Sequence, residues 1–150
     1  QAATAFGMAA LTRWMTPGNR VAEIAHAADW NRWDAARTVP LAEWIYAAGL
    51  GCHAATLLGV PIPGSLGLGA GELRRLRQGE RALQAHLDAD LDRAGIGLVM
   101  RWLEDDAPVA MRRTSDGTII PPGAGRYLGW RMLAERVERV GLAEAVGMAA

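Results

Sequence analysis

The sequence contains no lysine, only one cysteine and no long hydrophobic run. The lone Cys52 excludes an intramolecular disulfide framework and a metal site built from cysteines alone. No apolar run approaches the ~18 residues that a membrane-spanning helix needs, so we expect no membrane partner. Sixteen arginines balance 16 acidic residues, and the formal net charge of +0 argues against nucleic acid as the main partner. A signal-peptide pattern is also missing, which favours a cytoplasmic location.

The 150 residues are 51% hydrophobic, which is enough to bury a core and fits one domain over residues 1–150. Apolar residues recur mostly at helical spacing. The sequence therefore predicts a mainly α, single-domain helical bundle with at most a short β-hairpin, near Met111 to Ile120. The predicted helices are Ala2–Met15, about Asn19–Asp34, Pro40–Leu58, about Glu72–Arg93, a short one ending at Leu103, about Gly125–Val140 and a last short one within Leu142–Met148.

The helix Pro40–Leu58 is apolar on nearly all sides, which predicts a central position in the bundle. It also carries Gly49 and Gly51, each of which costs roughly 1 kcal/mol relative to alanine in a helix. We therefore expect these two glycines to mark close packing against another backbone. The helix Gly125–Val140 is the expected neighbour, together with the helix that contains residues 19–34.

The second helix contains a sequence that is close to a zinc-binding motif. Ala22, Glu23 and His26 occupy the positions of H-E-x-x-H, in which two histidines at i and i+4 hold zinc and the glutamate is the general base. Here alanine replaces the first histidine. On its own such a short, incomplete pattern has little specificity, because glutamate and histidine three residues apart occur by chance in many helices.

Two further segments extend the pattern, namely V-P-L-A-E-W-I-Y-A-A-G-L at 39–50 and G-R-Y-L-G-W-R-M at 125–132. In this order the segments resemble a family of bacterial proteins described as zinc-dependent proteases, which are gluzincin-like and distantly similar to gliding-motility lipoproteins. Members carry H-E-x-H-H, then T-L-L-x-x-L-x-x-E-G, then G-Y-x-x-G-Y-x-x-V. The resemblance covers about Val21 to Gly141, and it implies either that an N-terminal portion of the family domain is missing here or that the domain is reduced.

This sequence departs from the family at its expected metal ligands. Ala22 replaces the first histidine, Ala48 replaces the glutamate of E-G, and Arg126 replaces the first tyrosine of the C-terminal motif. Only His26 remains as a ligand, whereas a catalytic zinc needs three protein ligands. We therefore predict a degenerate site with no metal and no cofactor, and an atypical zinc metallopeptidase is kept as the second alternative.

The remaining polar residues suggest a different chemistry for the same cavity. Cys52 follows Ala48 by four residues on the same helical face, so it is expected to face the same site as Glu23, His26 and Arg126. Glutamate and histidine in an apolar pocket are suited to proton transfer, with Arg126 as an anion anchor, and Cys52 beside His26 is a possible nucleophile. The predicted substrate-binding residues are Trp30, Trp33, Trp44, Cys52 and Tyr127.

Each of these residues also has a purely structural interpretation. Cys52 fits a small core residue, His26 a hydrogen-bonded core histidine, and Glu23 a salt-bridge partner of Arg20 or Arg126. The arginine run at 74–81 is interpreted as a solvated helix face, and Arg112 and Arg113 as local partners of Asp105 and Asp106.

Two classes of function follow. The first is a metal-independent acid/base enzyme of isomerase, cyclase, lyase or hydrolase type that acts on a small apolar molecule. The second is a non-catalytic binding or assembly module, with a homo-oligomer as one form.

Overall fold

A computed structural model describes residues 33–141 and 143–145 of the chain. The protein is mainly α, as predicted. The first predicted helix and almost all of the second lie outside the described residues, although 33–36 and 143–145 are helical. The described elements are α1 (Leu41–Leu57), a 3₁₀ turn (Gly64–Leu66), α2 (Ala70–Asp90), α3 (Ile96–Leu103) and α4 (Ala124–Val140).

Helix α1 is the centre of the described fold, and it packs most extensively against α4. Its apolar side chains are buried on several faces, which explains why the sequence shows no polar stripe. The prediction of a central helix packed by the C-terminal helix is confirmed. The buried residues of α1 are Leu41, Trp44, Ile45, Ala47, Ala48, Gly49, Leu50, Cys52 and Ala55.

Among the described residues, only one of the two α1 glycines meets another backbone. Gly49 faces Gly129 of α4, so the two helices approach closely at this point. Gly51 has no described atom within 4 Å of the position that a Cβ would take. The expectation of close packing is therefore right for Gly49 and wrong for Gly51 within the described part of the chain.

The end of α2 supports the beginning of α1. The first N–H groups of a helix have no partner within the helix. Here the Leu41 and Ala42 N–H groups donate to the carbonyl oxygens of Arg93 and Leu91, at 2.8 and 2.9 Å. Pro40, which precedes α1, has the fixed φ that suits a helix start.

A buried carboxylate joins α2 to α3. Asp90 is 5% exposed and accepts hydrogen bonds from Trp102 Nε1 at 3.0 Å, Arg101 Nη1 at 3.1 Å and Arg93 Nη1 at 2.8 Å. Because a buried charge is costly unless it is paired and hydrogen-bonded, these three donors explain why an aspartate is tolerated in the core.

The segment between α3 and α4 forms a small antiparallel contact instead of a sheet. Arg113 and Ile119 form an isolated β-bridge, closed by the hydrogen bond from Thr114 N–H to Thr118 O at 2.8 Å. The expectation of at most a short hairpin is confirmed. Within the described residues, no helix combines the length and the apolar character needed to cross a membrane.

Candidate functional site

Arg126, the predicted anion anchor, lies in the first turn of α4 and is held by two neighbouring segments. Its Nε donates to the Leu66 carbonyl oxygen at 3.0 Å, and its Nη2 donates to Asp105 Oδ2 at 2.5 Å. The other oxygen of Asp105 accepts the N–H of Gly123, the residue before α4, at 2.9 Å. The arginine therefore fastens the 3₁₀ turn and the segment after α3 to the start of α4.

These contacts correct the expected pairing of the loop charges. Asp105 binds Arg126 and not Arg112 or Arg113. Arg112 donates to the carbonyl oxygens of Ala107 and Ile120, and Arg113 donates to that of Gly117. A bidentate guanidinium that bridges backbone carbonyls is not visible in a sequence, because the acceptors are not side chains.

Cys52 lies in the core and near Arg126. Its side chain is 3% exposed, and burial raises the pKa of the thiol to about 12, although the positive charge of Arg126 acts in the opposite direction. The thiolate is the reactive form of cysteine, so this thiol is a poor nucleophile at neutral pH. The predicted proximity of Cys52 and Arg126 is present, but the predicted reactivity has no support in this environment.

Tyr127 points toward α2. Its hydroxyl donates a short hydrogen bond to Glu80 Oε2, and Arg131 Nε donates to Glu80 Oε1 at 3.2 Å. Burial and the hydrogen bond to Glu80 raise the pKa of Tyr127 to about 12. The hydrogen bond from the Tyr127 hydroxyl lowers the pKa of Glu80 below its ordinary value. Partial burial acts in the opposite direction, and Arg131 acts in the same direction as Tyr127. At neutral pH the tyrosine is therefore protonated and the glutamate ionised.

Two of the three tryptophans that were predicted to bind substrate lie among the described residues. Trp44 is 4% exposed in the main core cluster, and Trp33 is half-buried against the same cluster. Glu23, His26 and Trp30 lie outside the described residues, so their roles stay predictions. Among the described residues, no group of three or more His, Cys, Asp or Glu side chains is arranged to hold a metal ion.

The sequence did not indicate a groove of about 390 Å³ on the surface between α2 and α4. The Tyr127–Glu80–Arg131 contact lies at this groove. No motif marks it, because its two walls come from helices that are far apart in the sequence. Its lining residues are Glu80, Gln84, Arg131, Met132, Ala134 and Glu138.

The buried Asp90 cluster was also missed, although the sequence did contain a signal for it. Leu83 and Leu87 are buried on α2, and Asp90 continues their spacing by a further three residues. A carboxylate in an apolar row is informative, because such a group needs partners if it is buried. Arg93, three residues further on, is the one partner that the spacing could have indicated, whereas Arg101 and Trp102 come from the next helix and cannot be identified in this way.

Comparison with protein-family models, with curated proteins and with solved structures finds no match for this chain. The resemblance to zinc-dependent proteases therefore stays a prediction. The functional argument rests on the contacts described above.

Proposed function

We propose that this chain is a non-catalytic helical module that acts by binding or by assembly. The observation that carries the proposal is the position of Arg126, whose Nε and Nη2 are used by Leu66 and Asp105. An anion anchor in an active site directs its donors toward the substrate. Here Nε and Nη2 instead hold together three segments of the fold.

Cys52 and Tyr127 support the same conclusion. Both groups are buried and both have a pKa raised to about 12, so neither loses its proton near neutral pH. A general base or a nucleophile is most effective when its pKa lies near the operating pH. These environments suit core packing and the Glu80 hydrogen bond better than they suit proton transfer.

The acid/base enzyme is the second candidate, and one observation favours it. Cys52 and Arg126 lie near each other, as the shared cavity with Glu23 and His26 requires. In that proposal Glu23 is the acid/base, His26 is its partner, and the substrate is a small apolar molecule. The cavity is the remnant of a zinc-protease-like site from which two ligands are absent.

Three substitutions separate the candidates. If the chain is a non-catalytic module, we expect Glu23→Gln and His26→Ala to leave the binding of an apolar fluorescent dye and the oligomeric state unchanged. Arg126→Lys lowers the free energy of unfolding, because lysine cannot donate to two acceptors in the guanidinium geometry. Arg139→Lys, at an exposed position of α4, is the matched control and leaves stability unchanged.

If the chain is instead an acid/base enzyme, we expect Glu23→Gln to have a large effect. The wild-type protein then turns over a member of a panel of small esters and enolisable ketones, and Glu23→Gln abolishes that turnover without loss of stability. This result overturns the module.

A further inference from the structure

The exposed face of α2 has opposite charges at its two ends. Arg74, Arg77 and Arg81 lie in its first half, while Asp88 lies in its last turn and Asp92 just beyond it. All five side chains are exposed. Their spacing is mostly three or four residues, and a helix has about 3.6 residues per turn, so they follow one row along the helix.

This row is not neutralised within the described part of the chain. Arg74, Arg77 and Arg81 form no ion pair there, and Asp88 accepts only a hydrogen bond from Gln84 Nε2 at 2.7 Å. Arginines three and four residues apart repel each other, and a carboxylate in the last turn of a helix opposes the helix dipole. Glu80 supplies one opposite charge near the row, since it interacts electrostatically with Arg77. Among the described residues, each end of the row therefore still gains from a further opposite charge.

The faces of α2 on either side of the row are covered by the protein. On one side Glu80 binds Tyr127 and Arg131 of α4. On the other side His86 lies 3.7 Å from Asp116 of the β-bridge segment. The open face between them carries small exposed side chains at Ala82 and Ala85, and again at Ala89 in the last turn.

We propose that this face binds the same face of a second copy of the chain, with the two α2 helices antiparallel. A two-fold axis near position 83 places Arg74 opposite Asp92 of the second copy, and Arg77 within one residue, about 1.5 Å of helix rise, of its Asp88. The symmetry forms each pair twice. Ala82 and Ala85 lie near the centre of the contact, where small side chains let the two helices approach closely.

A second copy fits this face better than a polyanion does. A nucleic acid or an acidic peptide that lies along the arginines meets Asp88 and Asp92 at the end of the same row. In the antiparallel pair, by contrast, Arg74 and Arg77 face Asp92 and Asp88 of the second copy, whereas Arg81 lies opposite Ala85 and takes no part in the pairing. Exposed ion pairs contribute little each, about 0–1 kcal/mol, so the association is weak and sensitive to salt.

This inference rests on the proposed assembly role and names the partner. The test is sedimentation velocity of the full chain over a range of protein concentrations. We expect a reversible dimer whose dissociation constant rises roughly tenfold between about 0.05 and 0.5 M NaCl, because salt screens exposed charges. Arg74→Asp with Arg77→Asp, and separately Asp88→Arg with Asp92→Arg, should each make the protein monomeric.

An equimolar mixture of the two doubly substituted proteins should restore the dimer, because acidic side chains at positions 74, 77, 88 and 92 of one protein then face basic side chains at those positions of the other. Arg37→Asp with Arg139→Asp is the matched control at exposed positions away from the row, and it should dimerise as the wild type does. A thermal melt of each reversed protein, followed by circular dichroism, shows whether it is folded, so that a loss of association is not confused with unfolding.

The inference is wrong if the wild type is monomeric throughout, if either reversed protein still dimerises, or if the mixture stays monomeric. The proposed function fails separately, through turnover that depends on Glu23. A dimer that persists in both reversed proteins keeps the assembly role and excludes this face.

Discussion

Gly49 and Gly129 meet where α1 crosses α4. A Cβ added at Gly49 would lie 2.5 Å from the carbonyl carbon and oxygen of Gly129, and one added at Gly129 would clash with the carbonyl oxygen of Ile45. The obstacles are backbone atoms, so no side-chain rotation relieves them. The packing of the two central helices therefore depends on the absence of a side chain at both positions.

Gly129→Ala should destabilise the protein, because α4 must move away from α1 and the core between them opens. We expect a loss of about 2–4 kcal/mol in the free energy of unfolding, measured by urea denaturation. Gly51→Ala is the control on α1, where no described atom is within 4 Å of the added carbon. It should be neutral or stabilising by up to about 1 kcal/mol, since alanine is the better helix former. Equal losses in the two variants would contradict the close approach.

Asp90→Asn should be one of the most damaging substitutions of a polar residue. It removes the negative charge that Arg101 and Arg93 share, and it leaves the Arg101 cation, whose side chain is 21% exposed, without its carboxylate. Breaking a buried pair in this way costs about 3 kcal/mol or more. Asp106→Asn, at an exposed position, should change stability by less than about 0.5 kcal/mol. A thermal melt of both variants distinguishes these outcomes.

Tyr127→Phe should lower stability by about 1–2 kcal/mol, because Glu80 loses its hydroxyl donor. The variant should also change the dependence of stability on acid pH. The pKa of Glu80 is below its usual 4.5 in the folded protein. The stabilisation is thus present above that pH and is lost as the pH falls through the folded value.

Urea denaturation at several acid pH values should therefore show a flatter decline for Tyr127→Phe than for the wild type. Glu80→Gln, and the doubly substituted protein, complete a mutant cycle. Additive effects of the two substitutions would refute a direct contribution from this hydrogen bond.

The Cys52 thiol should be inert toward a thiol reagent in the folded protein and reactive after unfolding in urea. Its pKa rises from 9.0 to about 12 on folding, so the folded state favours the protonated form. The unfolded thiol ionises above about pH 9 and the folded one does not, so stability declines with pH from there, by up to about 1.4 kcal/mol per pH unit. Cys52→Ala should remove this part of the decline. Rapid labelling of the native protein at pH 7 would revive the nucleophile hypothesis.

Protein purified without a chelator should contain no stoichiometric zinc. This prediction follows from the resemblance to zinc-dependent proteases, according to which Ala22 and Ala48 stand at two ligand positions and only His26 keeps a ligand type. Metal analysis by mass spectrometry tests this expectation. One tightly bound zinc per chain would favour the atypical metallopeptidase over both functional candidates.

The elements of the fold were largely predictable, because they follow from local patterns. The predicted Pro40–Leu58 and Gly125–Val140 correspond to Leu41–Leu57 and Ala124–Val140, and the apolar character of α1 indicated its central position. The predicted start of α2 at Glu72 is two residues late, since Gly69 precedes the helix and its N–H binds the Glu72 side chain at 2.7 Å. Such a cap depends on one backbone contact that hydrophobic spacing does not report.

The candidate site was less predictable. Spacing on α1 placed Cys52 on the buried face and near Arg126, and it indicated that Gly49 meets a backbone. It did not reveal that the donors of Arg126 bind Leu66 and Asp105, nor that Tyr127 binds Glu80, because those partners lie 60, 21 and 47 residues away. Local periodicity contains no information on contacts at such separations.

The sequence by itself determined the class of the fold and the central helix, since composition and helical periodicity are local properties. Tertiary structure alone decided what the polar residues do. Arg126 became a link between segments because folding brought Asp105 and a carbonyl oxygen within reach of its guanidinium. The thiol of Cys52 became unreactive because folding removed it from water, and desolvation raises the pKa of a group that ionises to an anion.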